Sequence, residues 1–377
     1  MCNIGKFTML FLFAPFSLLA ICNACTKYID MYGAFVSETV EVNGRSTLYY
    51  ELYISNPTSD SVLIASLDVL GRKDNDTLLS LSGAELINRL GKLRADKIVC
   101  DNLILPRDTT VIYIELSSTG LRGTKLTHHL RYTMNSKTDS LLFDIKDVTI
   151  SVPDLDAALL GNPLDGGPWI AIYEPSWNRG HRRVFYTANG VARIPGRYAI
   201  DFMLLDSLGR FAEGNKNEIT SYFGYDANVL AVADGIVVAL RNDFFESPTL
   251  SDHPKYPPKE ATGNYICLKI SENRYVFYEH LKPRTIAVKV GQQVKKGQVI
   301  ARVGFTGQTT GPHLHLHVAN SPSPLGSEGL PFTFEKFKLL GHYIDFNTFG
   351  NERWIADANS YTVYANERPA PNAVIQF

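Results

Sequence analysis

The chain has 377 residues and a formal net charge of −1 at pH 7. It is long enough to bury more than one core, and its neutral balance gives no reason to expect nucleic acid or another polyanion as a partner. Aromatic residues make up 11% of the chain and Gly and Pro recur throughout, which favours an all-β protein.

The first 25 residues are typical of a targeting segment. Lys6 supplies a positive charge, and residues 7–21 are nearly all apolar, with interruptions at Pro15 and Ser17. Such a run is short for a membrane-spanning helix and right for an export signal. Ala24-Cys25 resembles a lipoprotein signal, in which the cysteine is lipidated after cleavage. Simple cleavage near Ala24 and an uncleaved anchor are the alternatives. We expect an exported protein of the periplasm or cell envelope, attached to the membrane by a lipid on Cys25.

The cysteine pattern argues against a disulfide framework. Cys2, Cys22 and Cys25 fall in the targeting segment, which leaves Cys100 and Cys267 for two different parts of the folded chain. Two distant cysteines do not build a disulfide scaffold. Cys267 lies in an apolar run and is expected to be a buried small side chain rather than a metal ligand.

Residues 27–153 predict a β-sandwich. Short strands with alternating apolar residues are separated by regular turn signals, and one strand presents Leu48, Tyr50, Leu52 and Ile54 on one face. His128 and His129 are adjacent and therefore point to opposite faces of a strand. No catalytic constellation is found here, and the domain is interpreted as a spacer, a lid or a binding module.

A Gly- and Pro-rich segment at residues 161–168 marks the boundary to a second β domain, residues 165–322. Asn189-Gly190 and Asp234-Gly235 both predict two-residue hairpin turns. The polar, Pro-rich stretch at 243–262 predicts an inserted loop. Residues 323–377 are expected to form a C-terminal extension that packs on the core.

The most informative segment is Gly311-Pro312-His313-Leu314-His315-Leu316-His317. Alternate residues of a strand share one face, so the three imidazoles project from one surface with the leucines behind them. The first two imidazoles stand about 6–7 Å apart along the strand. Imidazoles on a common face suit a transition-metal site or acid–base chemistry.

Several ordered segments together resemble the lysostaphin-type (LytM-like) zinc metalloendopeptidases, which cut peptide bridges in bacterial cell walls. They are Arg197-Tyr198-Ala199-Ile200-Asp201, Tyr278-Glu279-His280-Leu281, Gly304-Phe305-Thr306-Gly307 and the histidine run. The resemblance covers residues 169–321. It implies a compact antiparallel β-sheet core with a groove on one sheet face, and a peptidoglycan peptide as partner.

The resemblance also implies roles for individual residues. That family holds one zinc with a His, an Asp and a second His, and Asp201 and His315 match two of these ligands. His280 and His313 match the pair that polarises water and stabilises the tetrahedral intermediate. His317 stands where the family usually has an acidic residue, and it is expected to orient His315.

Arg197 occupies the position of the family's first ligand histidine. A guanidinium group has no lone pair to offer and stays protonated in proteins, so it does not ligate zinc. The sequence instead leads us to expect an ion pair between Arg197 and Asp201. A site with two remaining ligands would hold zinc poorly.

His181 is a candidate substitute for the missing ligand. We expect it on the strand before the Asn189-Gly190 turn, where an ideal hairpin places it opposite Tyr198 and on the wrong face. A β-bulge at Pro195 would turn His181 towards Arg197 and Asp201. Without that bulge, His181 is a surface histidine or a neighbour of the site.

Two functions therefore stand side by side. The first is an exported zinc endopeptidase acting on peptidoglycan cross-links, favoured by the intact set of His280, His313 and His315. The second is a metal-poor module that binds peptidoglycan or regulates a cell-wall hydrolase, favoured by Arg197. A carbohydrate-binding role for the sandwich rests on fold analogy alone.

Overall fold

The computed structural model describes residues 29–71, 76–92, 101–135, 140–357 and 362–377. The expected targeting segment with Cys25 lies outside these residues, and so do Cys2, Cys22 and Cys100. Strands dominate the described part of the chain, and the predicted all-β class is confirmed. No helix within the described ranges has the length and apolar character that crossing a bilayer requires.

The described residues of the N-terminal part form ten strands and one short helix, α1, at Gly83–Asn88. The strands are β1 Asp30–Val36, β2 Val40–Val42, β3 Arg45–Ser55, β4 Ser61–Gly71, β5 Thr77–Ser82, β6 Leu90–Lys92, β7 Leu103–Ile104, β8 Thr109–Ser117, β9 Lys125–Asn135 and β10 Ser140–Ser151. One five-stranded antiparallel sheet has the order β1-β3-β8-β6 with β2 beside β3, and the other has the order β10-β9-β4-β5 with β7 beside β4.

The two sheets enclose one apolar core. The predicted inward face of β3 is fully buried there, at Leu48, Tyr50, Leu52 and Ile54. His128 of β9 is buried as well, with its Nε2 2.7 Å from the Tyr50 hydroxyl and its Nδ1 2.8 Å from the Val148 carbonyl oxygen. This histidine is therefore a hydrogen-bonded residue of the sandwich core.

Seventeen strands are formed by the described residues of the remaining chain. They are β11 Ala158–Leu160, β12 Trp169–Ile172, β13 Tyr186–Ala188, β14 Val191–Arg193, β15 Ile200–Leu204, β16 Asn228–Leu230, β17 Gly235–Arg241, β18 Tyr265–Ser271, β19 Arg274–Glu279, β20 Gln293–Val294, β21 Val299–Arg302, β22 Leu314–Ala319, β23 Gly329–Leu330, β24 Phe332–His342, β25 Ile355–Ala356, β26 Val363–Glu367 and β27 Ala373–Gln376. Five 3-10 turns interrupt them, at His181–Arg183, Pro195–Tyr198, Ile219–Ser221, Pro258–Glu260 and Phe346–Thr348.

Most of these strands form a single large sheet with the order β11-β24-β27-β12-β15-β22-β19-β18-β17-β20. The C-terminal strands do more than pack on the core, because β27 is hydrogen-bonded between β24 and β12. The sheet therefore continues from the C-terminal residues directly into the strands that carry the candidate site.

Of the two predicted hairpins, the structure confirms one and contradicts the other. Asn189 and Gly190 have positive φ, and Ala188 pairs with Val191, which confirms a two-residue turn between β13 and β14. The hairpin predicted at Asp234-Gly235 is wrong. Strand β16 pairs with β21 and β17 pairs with β18 and β20, so the segment crosses between two sheets. Neither residue adopts the positive φ that the expected turn requires.

Candidate metal and catalytic centre

Three neighbouring strands bring the predicted residues together. In the register of the sheet, Asp201 of β15 lies opposite His315 of β22, and Glu279 of β19 lies opposite His315 on its other side. All six residues of β22 are buried. Residues 313, 315 and 317 share a face as the alternation predicted, and all three histidines line one cavity.

Two 3-10 turns take the place of the expected strand and bulge. His181 begins the turn at His181–Arg183, and Pro195 begins the turn at Pro195–Tyr198. The bulge predicted at Pro195 is wrong, because the proline starts a helical turn, for which its fixed φ is suited. Gly196 allows the turns to touch, since a β-carbon there would lie 2.9 Å from the Cβ of His181.

Asp201 is the centre of the cluster. His181 Nε2 lies 3.2 Å from its Oδ2, and His315 Nδ1 lies 2.8 Å from its Oδ1. His313 Nε2 lies 3.4 Å from the same Oδ1. The structure thus brings His181, 20 positions earlier in the chain, to the carboxylate that the resemblance assigned as a ligand.

Backbone contacts fix the ring orientation of the other two histidines. His280 Nδ1 donates to the Thr306 carbonyl oxygen at 2.8 Å, and His313 Nδ1 donates to the Gly311 carbonyl oxygen at 2.8 Å. Each ring therefore presents Nε2 to its surroundings. The ring centroids lie 4.8 Å apart. His280 has a φ of +62°, a sparsely populated conformation for a residue with a side chain, which is often found at functional sites.

The electrostatics of the cluster favour an ionised aspartate. Burial raises the pKa of Asp201, but the charges of His181 and His313 and their hydrogen bonds outweigh burial and hold this pKa well below its usual range. For His313, burial lowers the pKa, yet the carboxylate of Asp201 outweighs that effect and raises it. Asp201 and His313 thus stabilise each other's charged forms.

At the other two rings, His280 and His315, burial is the dominant effect on the pKa. It lowers the pKa of His280 well below its usual range, and neighbouring His313 and His315 add to the effect. It also lowers the pKa of His315, although Asp201 opposes the shift. Both imidazoles are therefore neutral near pH 7 and keep a free lone pair.

His181, Asp201 and His315 have the chemistry and spacing of a metal site. One ligand atom from each lies within 4.8 Å of the others. Two imidazole nitrogens and one carboxylate oxygen are donors that zinc takes at catalytic sites. An ionised Asp201 beside a neutral His315 suits a divalent cation, so these residues fit a zinc ion. Arg197 is not part of this group.

Arg197 lies in a buried ion-pair network instead of beside Asp201. Its Nε donates to Glu51 Oε2 at 2.9 Å, and its Nη2 donates to Glu328 Oε2 at 2.8 Å. Its Nη1 donates to the Gly329 carbonyl oxygen at 3.1 Å. The expected Arg197–Asp201 pair is therefore wrong. Burial lowers the pKa of Arg197, but Glu51 and Glu328 outweigh burial and raise it, so the guanidinium stays charged.

Arg182, the residue after His181, connects the turn at His181–Arg183 to the N-terminal sandwich through hydrogen bonds. Arg182 Nε donates to Glu51 Oε1 at 3.1 Å, and its Nη1 donates to Glu115 Oε1 at 2.9 Å. Its Nη2 donates to the carbonyl oxygens of Tyr50 and Ile114. Sandwich strands β3 and β8 thus hold the turn that presents His181. Sequence patterns missed this role, because only the folded structure brings Glu51 and Glu115 to the turn.

Glu279 was also missed by the sequence analysis as a site residue. It follows the strand pattern of β19 and precedes His280, and its side chain is buried against His315 and His317. Burial, reinforced by the charge of Asp201, raises the pKa of Glu279 well above its usual range. The same burial, with His315 nearby, lowers the pKa of His317 well below its usual range.

These side chains open onto a groove with a volume of about 370 Å³. The five histidines at 181, 280, 313, 315 and 317 line it together with Asp201 and Glu279. Its rim includes Arg179, Tyr186, Gln308 and Leu325. The mixture of polar and apolar side chains above the cluster suits an extended peptide better than a small apolar ligand.

Residues 219–326 match the model of peptidase family M23. The matched residues include His280, His313 and His315. They begin after Asp201, so His181, Arg197 and Asp201 lie outside the match.

Curated relatives from Vibrio cholerae are similar over part of the chain. Peptidoglycan DD-endopeptidase ShyB is 32% identical over 140 residues, which are 34% of this chain and 29% of that protein. Peptidoglycan DD-endopeptidase ShyC is 47% identical over 56 residues, which are 15% of this chain and 12% of that protein. The match thus spans less than a third of either relative.

Solved structures are similar at low identity. A zinc-containing peptidase from Vibrio cholerae is 17% identical, with a TM-score of 0.28, over 78% of this chain and 85% of that one. The catalytic domain of lysostaphin from Staphylococcus simulans is 23% identical, with a TM-score of 0.23, over 44% of this chain and 88% of that one.

Proposed function

The chain contains a domain of peptidase family M23, and from that premise we propose that it is an exported zinc endopeptidase that cuts peptide cross-links of peptidoglycan. The observation that carries the proposal is the position of His181. Its Nε2 lies 3.2 Å from Asp201, whose other oxygen contacts His315. His181 thereby supplies the ligand that the resemblance leaves missing at Arg197, and a His-Asp-His set is complete.

The residues around this set can carry out amide hydrolysis. Zinc held by His181, Asp201 and His315 would polarise a water molecule and the scissile carbonyl group. His280 presents a neutral Nε2 that can accept a proton at neutral pH, since burial lowers its pKa. His313 has a raised pKa and presents an Nε2 that can donate a proton or hydrogen-bond to developing negative charge.

The substrate class rests on two observations. Relatives over parts of the chain are named peptidoglycan DD-endopeptidases, and a groove of about 370 Å³ with polar and apolar lining residues lies above the cluster. A module that binds peptidoglycan without cutting it would need only the groove. The hydrogen bonds at Nδ1 of His280 and His313 leave both Nε2 atoms available for acid–base chemistry, which favours the enzyme.

The decisive experiment is an assay of soluble fragments released from purified peptidoglycan by the zinc-loaded chain. We expect turnover by the wild type and a loss of about 10²–10⁴-fold in the His313→Ala variant, the range that acid–base groups contribute. His342→Ala, an exposed histidine on β24, is the matched control and should keep full activity. Binding of peptidoglycan without any release of fragments by the wild type would instead support the non-catalytic module.

Attachment to the envelope is the second part of the proposal. The apolar segment that ends in Ala24-Cys25 supports export with a lipid on Cys25. In cells that express the full chain, Cys25→Ser is expected to move the protein from the membrane fraction to the soluble fraction. A Cys25→Ser variant that stays in the membrane fraction like wild type would show that no lipid on Cys25 anchors the protein.

A further inference from the structure

His315 faces a second group of potential ligands on the side away from Asp201. Its Nε2 lies 3.1 Å from His317 Nδ1. The same His317 Nδ1 lies 3.8 Å from Glu279 Oε1. One ligand atom from each of Glu279, His315 and His317 lies within 4.8 Å of the others. The three residues come from paired strands β19 and β22, so rigid sheet backbone fixes their spacing.

Within the part of the chain that the structure describes, two atoms of this group have no hydrogen-bond partner. They are the buried Glu279 Oε1 and His317 Nε2. The residues themselves are 6% and 2% exposed. Leaving a buried polar atom without a partner costs about 1–3 kcal/mol, and more for a charged group. The ring of His317 stacks on the ring of Phe277, with the two centroids 4.7 Å apart. This contact is apolar and gives the Glu279 carboxylate no partner. A cation bound between Glu279 and His317 would provide one.

We propose that Glu279, His317 and the Nε2 of His315 form a second site for a divalent transition metal, next to the first. Two imidazoles and a glutamate are a donor set that zinc uses with an open fourth position. Glu279 and His317 line the groove, so a cation can reach them from solvent.

The two sites share only the ring of His315, through different nitrogens. Nδ1 faces Asp201 at 2.8 Å and Nε2 faces His317 at 3.1 Å. With both sites filled, the ring of His315 would lose its N–H proton to solvent and would offer one lone pair to each cation. Metal binding that deprotonates its ligands in this way is common.

A simpler arrangement makes a different prediction. With one metal at Asp201, His315 would keep its Nε2 proton and donate it to His317, as outer partners of metal-bound histidines do. A hydrogen-bonded chain from His315 through His317 to Glu279 would then be expected. That chain is open, because a His317 ring that accepts at Nδ1 donates from Nε2, and within the described residues neither His317 Nε2 nor Glu279 Oε1 has a hydrogen-bond partner. The single-metal arrangement leaves Glu279 unexplained.

The test is the zinc stoichiometry of the full chain. The protein is stripped with a chelator and titrated with Zn²⁺ by calorimetry, and bound zinc is counted by elemental analysis after dialysis. We expect two equivalents for the wild type. Glu279→Gln and His317→Phe should each bind one, since both keep the size of the side chain while removing a ligand atom. The exposed control variants Glu272→Gln and His342→Phe should keep two.

This inference goes beyond the proposed function, and its failure can be told apart from the failure of that function. One equivalent in the wild type, lost in His181→Ala and kept in Glu279→Gln, overturns the second site and leaves the peptidase site standing. Two equivalents that survive Glu279→Gln and His317→Phe also overturn it. No bound zinc in the wild type overturns both metal sites. The zinc stoichiometry is measured first on the wild type, so this part of the test does not depend on whether any variant folds.

Discussion

His181→Ala is expected to lose the zinc equivalent bound at Asp201, and with it the release of peptidoglycan fragments. The imidazole Nε2 lies 3.2 Å from Asp201 Oδ2 and is the third donor of the proposed set. Removing a direct ligand should weaken zinc by more than the about 10–100-fold that follows from losing an outer partner. Calorimetric zinc titration and the fragment-release assay measure the two effects.

His342→Ala is the control for a general effect of removing a histidine, because His342 is exposed and belongs to a distant part of the sheet. Thermal unfolding in the presence of a chelator shows whether the His181→Ala variant is folded without metal. If His181→Ala binds zinc as tightly as wild type, the ligand assignment fails. The site would then have to be built on Asp201, His315 and a donor other than His181.

Arg197→Met is expected to lower the free energy of unfolding by about 3–5 kcal/mol, the range for breaking a buried ion pair on one side. The guanidinium of Arg197 is 2% exposed and is paired with Glu51 at 2.9 Å and Glu328 at 2.8 Å. Methionine roughly fills the space but leaves both carboxylates short of a buried donor. Urea unfolding followed by fluorescence measures the loss.

Arg193→Met is the matched control. Arg193 also pairs with Glu328, at 3.2 Å, but its side chain is 37% exposed. Solvent screens such a pair, so we expect a change within about 1 kcal/mol. Equal losses for the two variants would contradict a special role of the buried network.

Arg197→His addresses the ligand question through the same position. If Arg197 occupied the first ligand position of a metal-poor site, Arg197→His would restore the family's motif and raise the zinc affinity. The structure predicts that Arg197→His loses as much stability as Arg197→Met and gains no zinc affinity. The reason is that the side chain of residue 197 points into the network of Glu51 and Glu328. Tighter zinc binding by Arg197→His than by wild type would show that residue 197 reaches Asp201 and would weaken the assignment of His181.

The sequence by itself determined the features that depend on local periodicity. Alternation along a strand placed His313, His315 and His317 on one face, and the structure has them there. Asn189-Gly190 predicted a hairpin because few dipeptides accept two positive φ values, and that turn is confirmed. The ordered motifs identified the peptidase family because they record a whole constellation rather than one short pattern.

Only the tertiary structure decided which residue stands beside Asp201. Two 3-10 turns bring His181 there, and their position depends on Arg182 and Arg197 reaching Glu51 across the boundary between the sandwich and the large sheet. Contacts between residues more than a hundred positions apart leave no periodic signal in either segment. Likewise, only the register that places Glu279 opposite His315 identifies Glu279 as a residue of the site. Strand pairing sets that register, and pairing is a property of the folded sheet.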